Sequence, residues 1–181
     1  MTYDVEKVHP YETGTSKKEQ VEAMFNEIAP NYDKLNGLLS LGIDDYWRKE
    51  SIKALKPYRP EYILDIATGT GDFAILAKKI LQPRRIIGID ISEGMMAVGR
   101  DKVKRKGLER VITFERQDSS ALSFPDETFD AVTAAFGIRN FENIDKSFGE
   151  VLRVLKPGGM FLFIELTTPE ATPMKELYSF Y

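Results

Sequence analysis

The sequence predicts an α/β fold: an open, mostly parallel sheet covered by helices and preceded by an N-terminal helical cap. Three observations predict it. From residue 61 onward, short continuously apolar runs alternate with stretches of helical spacing, the order of strand–helix–strand units in a parallel sheet. Three of the apolar runs close on an acid, Asp65, Asp90 and Asp118, which puts carboxylates at the strands' C-terminal ends, where such sheets hold ligands. Before residue 57 only helical spacing occurs, with no strand signal.

Each element can be justified in turn. Residues 1–17 are polar, with Pro10 and Gly14, and read as a mobile arm. Val21, Met24, Phe25 and Ile28 then recur at helical spacing until Pro30. Two further helices follow, one ending near Gly42 and one from Asp44 to about Leu55, so that residues 18–56 form the cap and 57–181 the α/β core. In the core, "EYILDI" is a strand, "DFAILAKKIL" a helix and "RRIIGID" a second strand. The next helix opens at Ser92 and stops at Gly107, as capping preferences dictate. "VITFERQ" and "TFDAVTAAF" give strands three and four, Ile144 to Leu155 a helix closed by Pro157-Gly158-Gly159, and "MFLFIEL" strand five. The chain stops soon after, leaving strand five's outer edge without a partner from this sequence; such an edge is a liability, and the expectation is a longer natural chain or a covering element.

Bulk composition narrows the function. A net charge of −3 and a pI near 5.4 argue against a nucleic-acid partner, and the run from Arg100 to Lys106 reads as a solvated helix face. With no cysteine and only His9, thiol nucleophiles, cysteine-ligated metals and a histidine triad are excluded. No metal is expected. The N-terminus lacks the order of a signal peptide, and the longest apolar stretch, Met160 to Ile164, is far short of a membrane span. The reading is a soluble, cytoplasmic protein.

Gly69-Thr70-Gly71-Asp72-Phe73-Ala74 fits the dinucleotide fingerprint. A diphosphate on this turn would meet Asp72 in the helix's first turn and Asp65 on the preceding strand, each opposing it by roughly 1 kcal/mol or more. A ligand with a positive centre meets no such opposition, and S-adenosylmethionine, with a sulfonium and an ammonium and no phosphate, fits the charges. Asp90, 19 residues after Gly71, stands at the spacing of a ribose acceptor. Asp118 beside Ser119 suits an adenine amino group, and Met95 or Met96 could cover the adenine, although core packing also accounts for both. A nicotinamide-dependent oxidoreductase is the alternative on spacing, but after residue 60 neither a Tyr-x-x-x-Lys nor a histidine occurs to serve as its acid.

"LDIATGTGD", "IGIDIS", "AAFGIRNF" and "VLKPGG", with the cap stretch "MFNEIAPNYDKLNGLLSLGIDDYWRK", resemble the ubiquinone/menaquinone biosynthesis C-methyltransferase family over roughly residues 20–168. The resemblance implies a class I, Rossmann-like methyltransferase fold that takes S-adenosylmethionine as co-substrate and methylates a ring carbon of a lipid quinol, with the menaquinone branch favoured. It places cofactor residues on Thr70, Asp90, Asp118 and Ser119; Asp65, Gly69, Gly71, Ile91 and Met95 complete the expected cofactor set. Where some members carry a serine before "FG", this chain has Ala135. The family's C-terminal helix and last two strands are missing from the chain.

Methyl transfer to carbon needs a quinol close to its phenolate, aligned behind the S–CH₃ bond and shielded from water. Arg139 is expected to stabilise the phenolate and Asn140 to orient the oxygen, with loop structure as the competing account. Tyr32 is a candidate proton relay from the cap, and Asp33 and Asp44 weaker proton acceptors. Phe25, Leu38, Leu39, Leu41 and Trp47 are expected to help form an apolar entrance for the isoprenoid tail. The quinol implies transient, peripheral membrane contact, while a homodimer stays an open option. Two alternatives remain: a methyltransferase for another small molecule, and a non-catalytic nucleotide-binding module.

Overall fold

The computed structural model describes residues 3–11, 14–40 and 43–166, with the side chains of 38–40 excepted. Its sheet has five strands in the order β3-β2-β1-β4-β5: β1 (Tyr62–Ile66), β2 (Arg85–Asp90), β3 (Ile112–Arg116), β4 (Phe129–Ala135) and β5 (Leu155–Ile164). Every pair is parallel, so each connection is a crossover, and all but the one from β3 to β4 lay a helix on a face. The helices are α1 (Lys17–Ile28), α2 (Tyr32–Ser40), α3 (Ile43–Lys53), α4 (Asp72–Leu81), α5 (Glu93–Arg105) and α6 (Ile144–Val154).

Strand periodicity divides the core in two. Leu64, Ile66, Val132 and Ala134 turn to the face packed by α6 through Ile144, Val151 and Val154. Ile63, Ile86, Ile112 and Ala131 turn to the other face, where Phe73, Ala74 and Ala77 of α4, Val103 of α5 and Ile52 of α3 cover them. These strands are buried on both sides, which explains their unbroken apolar runs. Side chains two apart share a face, so Asp65 lies on Ile63's side, under α3 and α4.

The helix ends follow local chemistry. Ser16 caps α1 in a reciprocal box with Glu19. The Ser92 hydroxyl accepts from the Met95 N–H at the start of α5, and Asn143 does the same for α6. At α4 the N-cap is Gly71, at φ +78°, where a Cβ would stand 2.7 Å from the Phe114 ring.

Two differences from the sequence reading stand out. Strand β5 begins at Leu155, five residues before Met160: Leu155 already pairs with Phe129, and the ladder resumes at Ala131 with Met160. Lys156 to Gly159 is thus a bulge within the strand rather than a connection before it, turned by Gly158 at φ +77°. The polar arm is also held at several points. A 3-10 turn over Asp4–Lys7 brings Glu6 to accept from the Ile144 N–H at 2.7 Å, and the Tyr3 hydroxyl donates to Asp145 at 2.9 Å. Among the described residues no strand pairs with the outer side of β5, and no helix is long and apolar enough to cross a membrane.

Candidate active site

The sheet order reverses between β1 and β4. Connections from β1 run toward β2 and β3, while β4 and β5 lie on its other side, so the loops after β1 and β4 part and leave a crevice. The two loops touch at one point. A Cβ on Gly137 would come 2.5 Å from the Ala67 Cβ, so only glycine permits this approach. Ala67 and Phe136, at φ +52° and +59°, hold a left-handed backbone that costs about 1–3 kcal/mol per non-glycine residue.

A cavity of about 870 Å³ opens in this crevice. Asp90 ends β2 at its wall. One carboxylate oxygen accepts from the Gly69 N–H at 2.8 Å and the other from the Ser92 N–H at 2.9 Å. Burial pushes its pKa above the usual carboxylate value despite these bonds. Each oxygen retains a further lone pair, so the group can still accept two ribose hydroxyls. Burial would also raise Asp118, but the Lys18 ammonium at 2.8 Å and the Ser120 N–H outweigh it and hold that carboxyl below its ordinary range. The Ser119 hydroxyl lies 2.9 Å from that of Ser147 on α6. Ile91 and Met95 also line the cavity, while Met96 is fully buried in the core. Phe25 and Tyr32 of the cap, edge to face at 6.1 Å, contribute with Phe136 and Phe141 to an apolar wall.

A smaller pocket of about 380 Å³ adjoins the first through shared Tyr32, Ala67, Gly69 and Ala135. It is lined by Asp65, Thr68, Thr70, Asp72 and Arg48 among others. Asp65 is fully buried and receives hydroxyl hydrogen bonds from Thr68 and Thr133, each at 2.6 Å. Burial raises its pKa to about 6; the two threonines and the charge of Arg48 oppose that rise. Asp72 is held by Lys102 at 2.6 Å. The same ammonium lies 2.8 Å from Asp33 of α2 and donates to the Thr70 hydroxyl at 2.9 Å, and that hydroxyl donates to Asp33 at 2.7 Å.

The sequence-derived site residues therefore separate into groups. Gly69, Asp90, Ile91, Met95, Asp118, Ser119, Asn140 and Tyr32 meet at the main cavity. Asp65 and Thr70 line only the smaller pocket. Gly71 and Arg139 line neither. Gly71 makes the turn into α4, and the Arg139 guanidinium is drawn outward to Glu165, at 2.6 Å, away from where a phenolate at the cavity would form. The electrostatic argument built on Asp65 and Asp72 needs the same correction: Lys102 compensates Asp72, and strand alternation turns Asp65 from the main cavity. Asp33 is engaged by Lys102, and Asp44 pairs with Arg48 at 3.2 Å. Trp47 is exposed; Leu41 and the side chains of Leu38 and Leu39 lie outside the described residues.

Several contributors had no local signal. Asn26 of α1 accepts from the Ser92 hydroxyl and the Gly94 N–H. The buried ammonium of Lys17 donates to the carbonyls of Val5 and Arg139 at 2.7 and 2.9 Å, joining arm, cap and the loop after β4. Lys102, in a run read as solvated, is nearly buried. These ties span from 12 to 122 positions, and no short-range pattern encodes them.

The chain matches the model of the ubiE/COQ5 methyltransferase family over residues 13–181. It is 58% identical, over its whole length, to a demethylmenaquinone methyltransferase of Bacteroides fragilis, of which it spans 74%. To a ubiquinone/menaquinone biosynthesis C-methyltransferase UbiE of Geobacter sulfurreducens it is 46% identical, over 92% of this chain and 66% of that one. Among solved structures, the YcgJ protein of Bacillus subtilis matches with a TM-score of 0.60 at 28% identity, over 71% of this chain and 56% of that one. The [4+2]-cyclase SpnF matches at 0.70 and 25% identity, over 86% and 63%. A cyclase among these neighbours shows that the fold by itself does not fix the reaction.

Proposed function

The chain belongs to the ubiE/COQ5 methyltransferase family, and from that footing we propose that it transfers the sulfonium methyl of S-adenosylmethionine to a ring carbon of a lipid quinol, converting demethylmenaquinol to menaquinol. The observation that carries this reading is the cavity at the β1–β4 reversal, which presents Asp90 and Asp118 at adjacent strand ends beside an apolar aromatic wall. Its donor set fits the co-substrate. Asp90 has acceptor capacity for a diol, Met95 and Ile91 offer apolar surface for a purine, and among the described lining residues no cationic cluster asks for phosphate.

When bound, S-adenosylmethionine supplies an electrophilic methyl; the chain's own residues do the rest. Asp90 and Asp118 fix the nucleoside end near β2 and β3. Asn140, on the loop after β4, orients the ring oxygen so that the adjacent carbon faces the methyl. Phe25, Tyr32, Phe136 and Phe141 hold the ring in an apolar setting that excludes water. Lys17 and Glu165 fix the Arg139 segment from opposite sides, one through its carbonyl and one through its guanidinium, so this arginine shapes the loop that carries Asn140. A substrate with an isoprenoid tail brings the protein to a membrane surface transiently.

The test is methyl transfer from labelled S-adenosylmethionine to demethylmenaquinol, run against a panel of sterol, phospholipid and amine acceptors. Label should enter the quinol alone. Asp90→Ala removes the diol acceptor and should raise the co-substrate KM by at least about tenfold, as loss of a charge-assisted pair of hydrogen bonds implies. Binding of NAD without binding of S-adenosylmethionine would refute the reading.

A further inference from the structure

Lys17, the first residue of α1, is 3% exposed, yet its two hydrogen-bond partners among the described residues are both main-chain carbonyls. A buried ammonium is costly unless well bonded, and burial presses its pKa down while the charges of Glu6 and Glu142 oppose the fall. Packing alone would be met by a methionine without that cost. What the ammonium holds gives the reason for it. Ile138–Asn140 is a single 3-10 turn, in which the N–H groups of Asn140 and Phe141 take the carbonyls of Gly137 and Ile138. The next carbonyl, that of Arg139, goes to Lys17 at 2.9 Å. This carbonyl and the Asn140 N–H belong to one planar peptide unit. With its oxygen on Lys17 and its N–H on Gly137, the unit is bonded at both ends, which fixes the direction in which Asn140 leaves it. Asn140 and Phe141 line the main cavity.

The same ammonium donates to the Val5 carbonyl at 2.7 Å, in the 3-10 turn of the arm. That turn is anchored in its own right. Glu6 accepts from the Ile144 N–H, one of the donors that α6 leaves unpaired in its first turn. The Val5 side chain packs against the core cluster that contains Ile138 and Ile144. Residues 3–8 and Lys17 thus form a strap bonded to both ends of the loop, at Arg139 and at Ile144. We propose that Lys17 is a positioning residue for methyl transfer, which with this strap locks the peptide before Asn140 and so aims its amide at the acceptor ring. The proposal rests on the reading above, in which Asn140 orients the ring oxygen, and gives the N-terminal arm a part in turnover. Lys17 does not itself line the cavity; it acts through Asn140.

Turnover and co-substrate affinity separate this from a general stabilising role. Lys17→Met nearly keeps the length of the side chain and removes its donors. With demethylmenaquinol saturating, kcat should fall by about tenfold or more, while calorimetry should find S-adenosylhomocysteine binding within about twofold of wild type. A cycle with Asn140→Ala tests the route: in that background Lys17→Met should lower kcat by no more than about twofold further. Three results overturn the proposal and leave the methyltransferase reading intact. They are an unchanged kcat in folded Lys17→Met, equal losses of kcat and S-adenosylhomocysteine affinity, and losses that multiply in the double variant. Wild-type protein that transfers no methyl overturns both. Should Lys17→Met fail to melt cooperatively, Glu6→Ala decides, since it frees the arm and leaves the lysine in place. Its kcat should drop by about threefold or more with S-adenosylhomocysteine affinity kept, and a wild-type kcat would overturn the strap.

Discussion

Asp65 shows how one residue's surroundings set its chemistry. The sequence places it beside the glycine turn, and strand alternation then turns it under α3 and α4, where it is fully buried with two threonine hydroxyls. Its pKa rises from 3.8 to about 6, chiefly by desolvation. The folded chain therefore binds a proton more tightly than the unfolded chain does. The resulting stability is present at pH near 4 and is lost as pH rises through about 6. Asp90 shifts in the same direction, so a single melting curve would mix the two. Asp65→Asn keeps the threonine contacts, because a hydroxyl can turn to accept from the amide. Between pH 5 and 7 the ligand-free wild type should lose melting temperature relative to Asp65→Asn; parallel curves would mean that Asp65 titrates as an ordinary carboxyl. The residue was legible as an acid on a strand. Its pocket was not, because Arg48 reaches it from a helix 17 positions earlier.

At the scale of elements, the strands and core helices were legible because each is buried by its own local pattern: short, mainly apolar runs for the strands, and apolar spacing opened at Ser92 and stopped at Gly107 for α5 or closed by Pro157 for α6. Where pattern and structure part, backbone geometry decides. Pro157-Gly158-Gly159 has the composition of a turn, yet Leu155 pairs with Phe129 before it, so the turn becomes a bulge. Gly137 is the converse case, since its neighbours in sequence do not show why it is glycine. Ala67, on the loop after β1, leaves no room for a Cβ. Gly137→Ala should force the two loops apart, lowering stability by about 1–3 kcal/mol, the usual cost of overpacking, and weakening S-adenosylhomocysteine. Denaturant unfolding and calorimetry check both effects; a fully stable variant with native affinity would show that the loops move freely past one another.

Over the whole molecule, the cap joins the core in two different ways. Helix α3 belongs to the hydrophobic core through Ile52, packed with Phe73, Ala74 and Ala77 of α4. Among the described residues neither core cluster contains a side chain of α1 or α2. Apart from the buried Val21 of α1, those two helices are tied by polar groups: Lys18 to Asp118, Glu22 to Arg116, Asn26 to Ser92, and Asp33 to Lys102 and Thr70. Three of these ties are ion pairs with partly exposed members, which are weak and screened by salt, whereas apolar burial is not. The Debye length shrinks from about 10 Å at 0.1 M salt to about 3 Å at 1 M. Raising sodium chloride over that range should speed amide exchange in α1 and α2 severalfold through local opening, with α3, β1 and β4 unchanged. Adding S-adenosylhomocysteine should slow it again, because Lys18 lines the main cavity and Asp33 accepts from the Thr70 hydroxyl at the smaller one. Uniform acceleration of all three cap helices would instead mean that the cap opens as one body, with α3 carried along. Phe25 and Tyr32 would then leave the aromatic wall only together with α3 and its core residue Ile52.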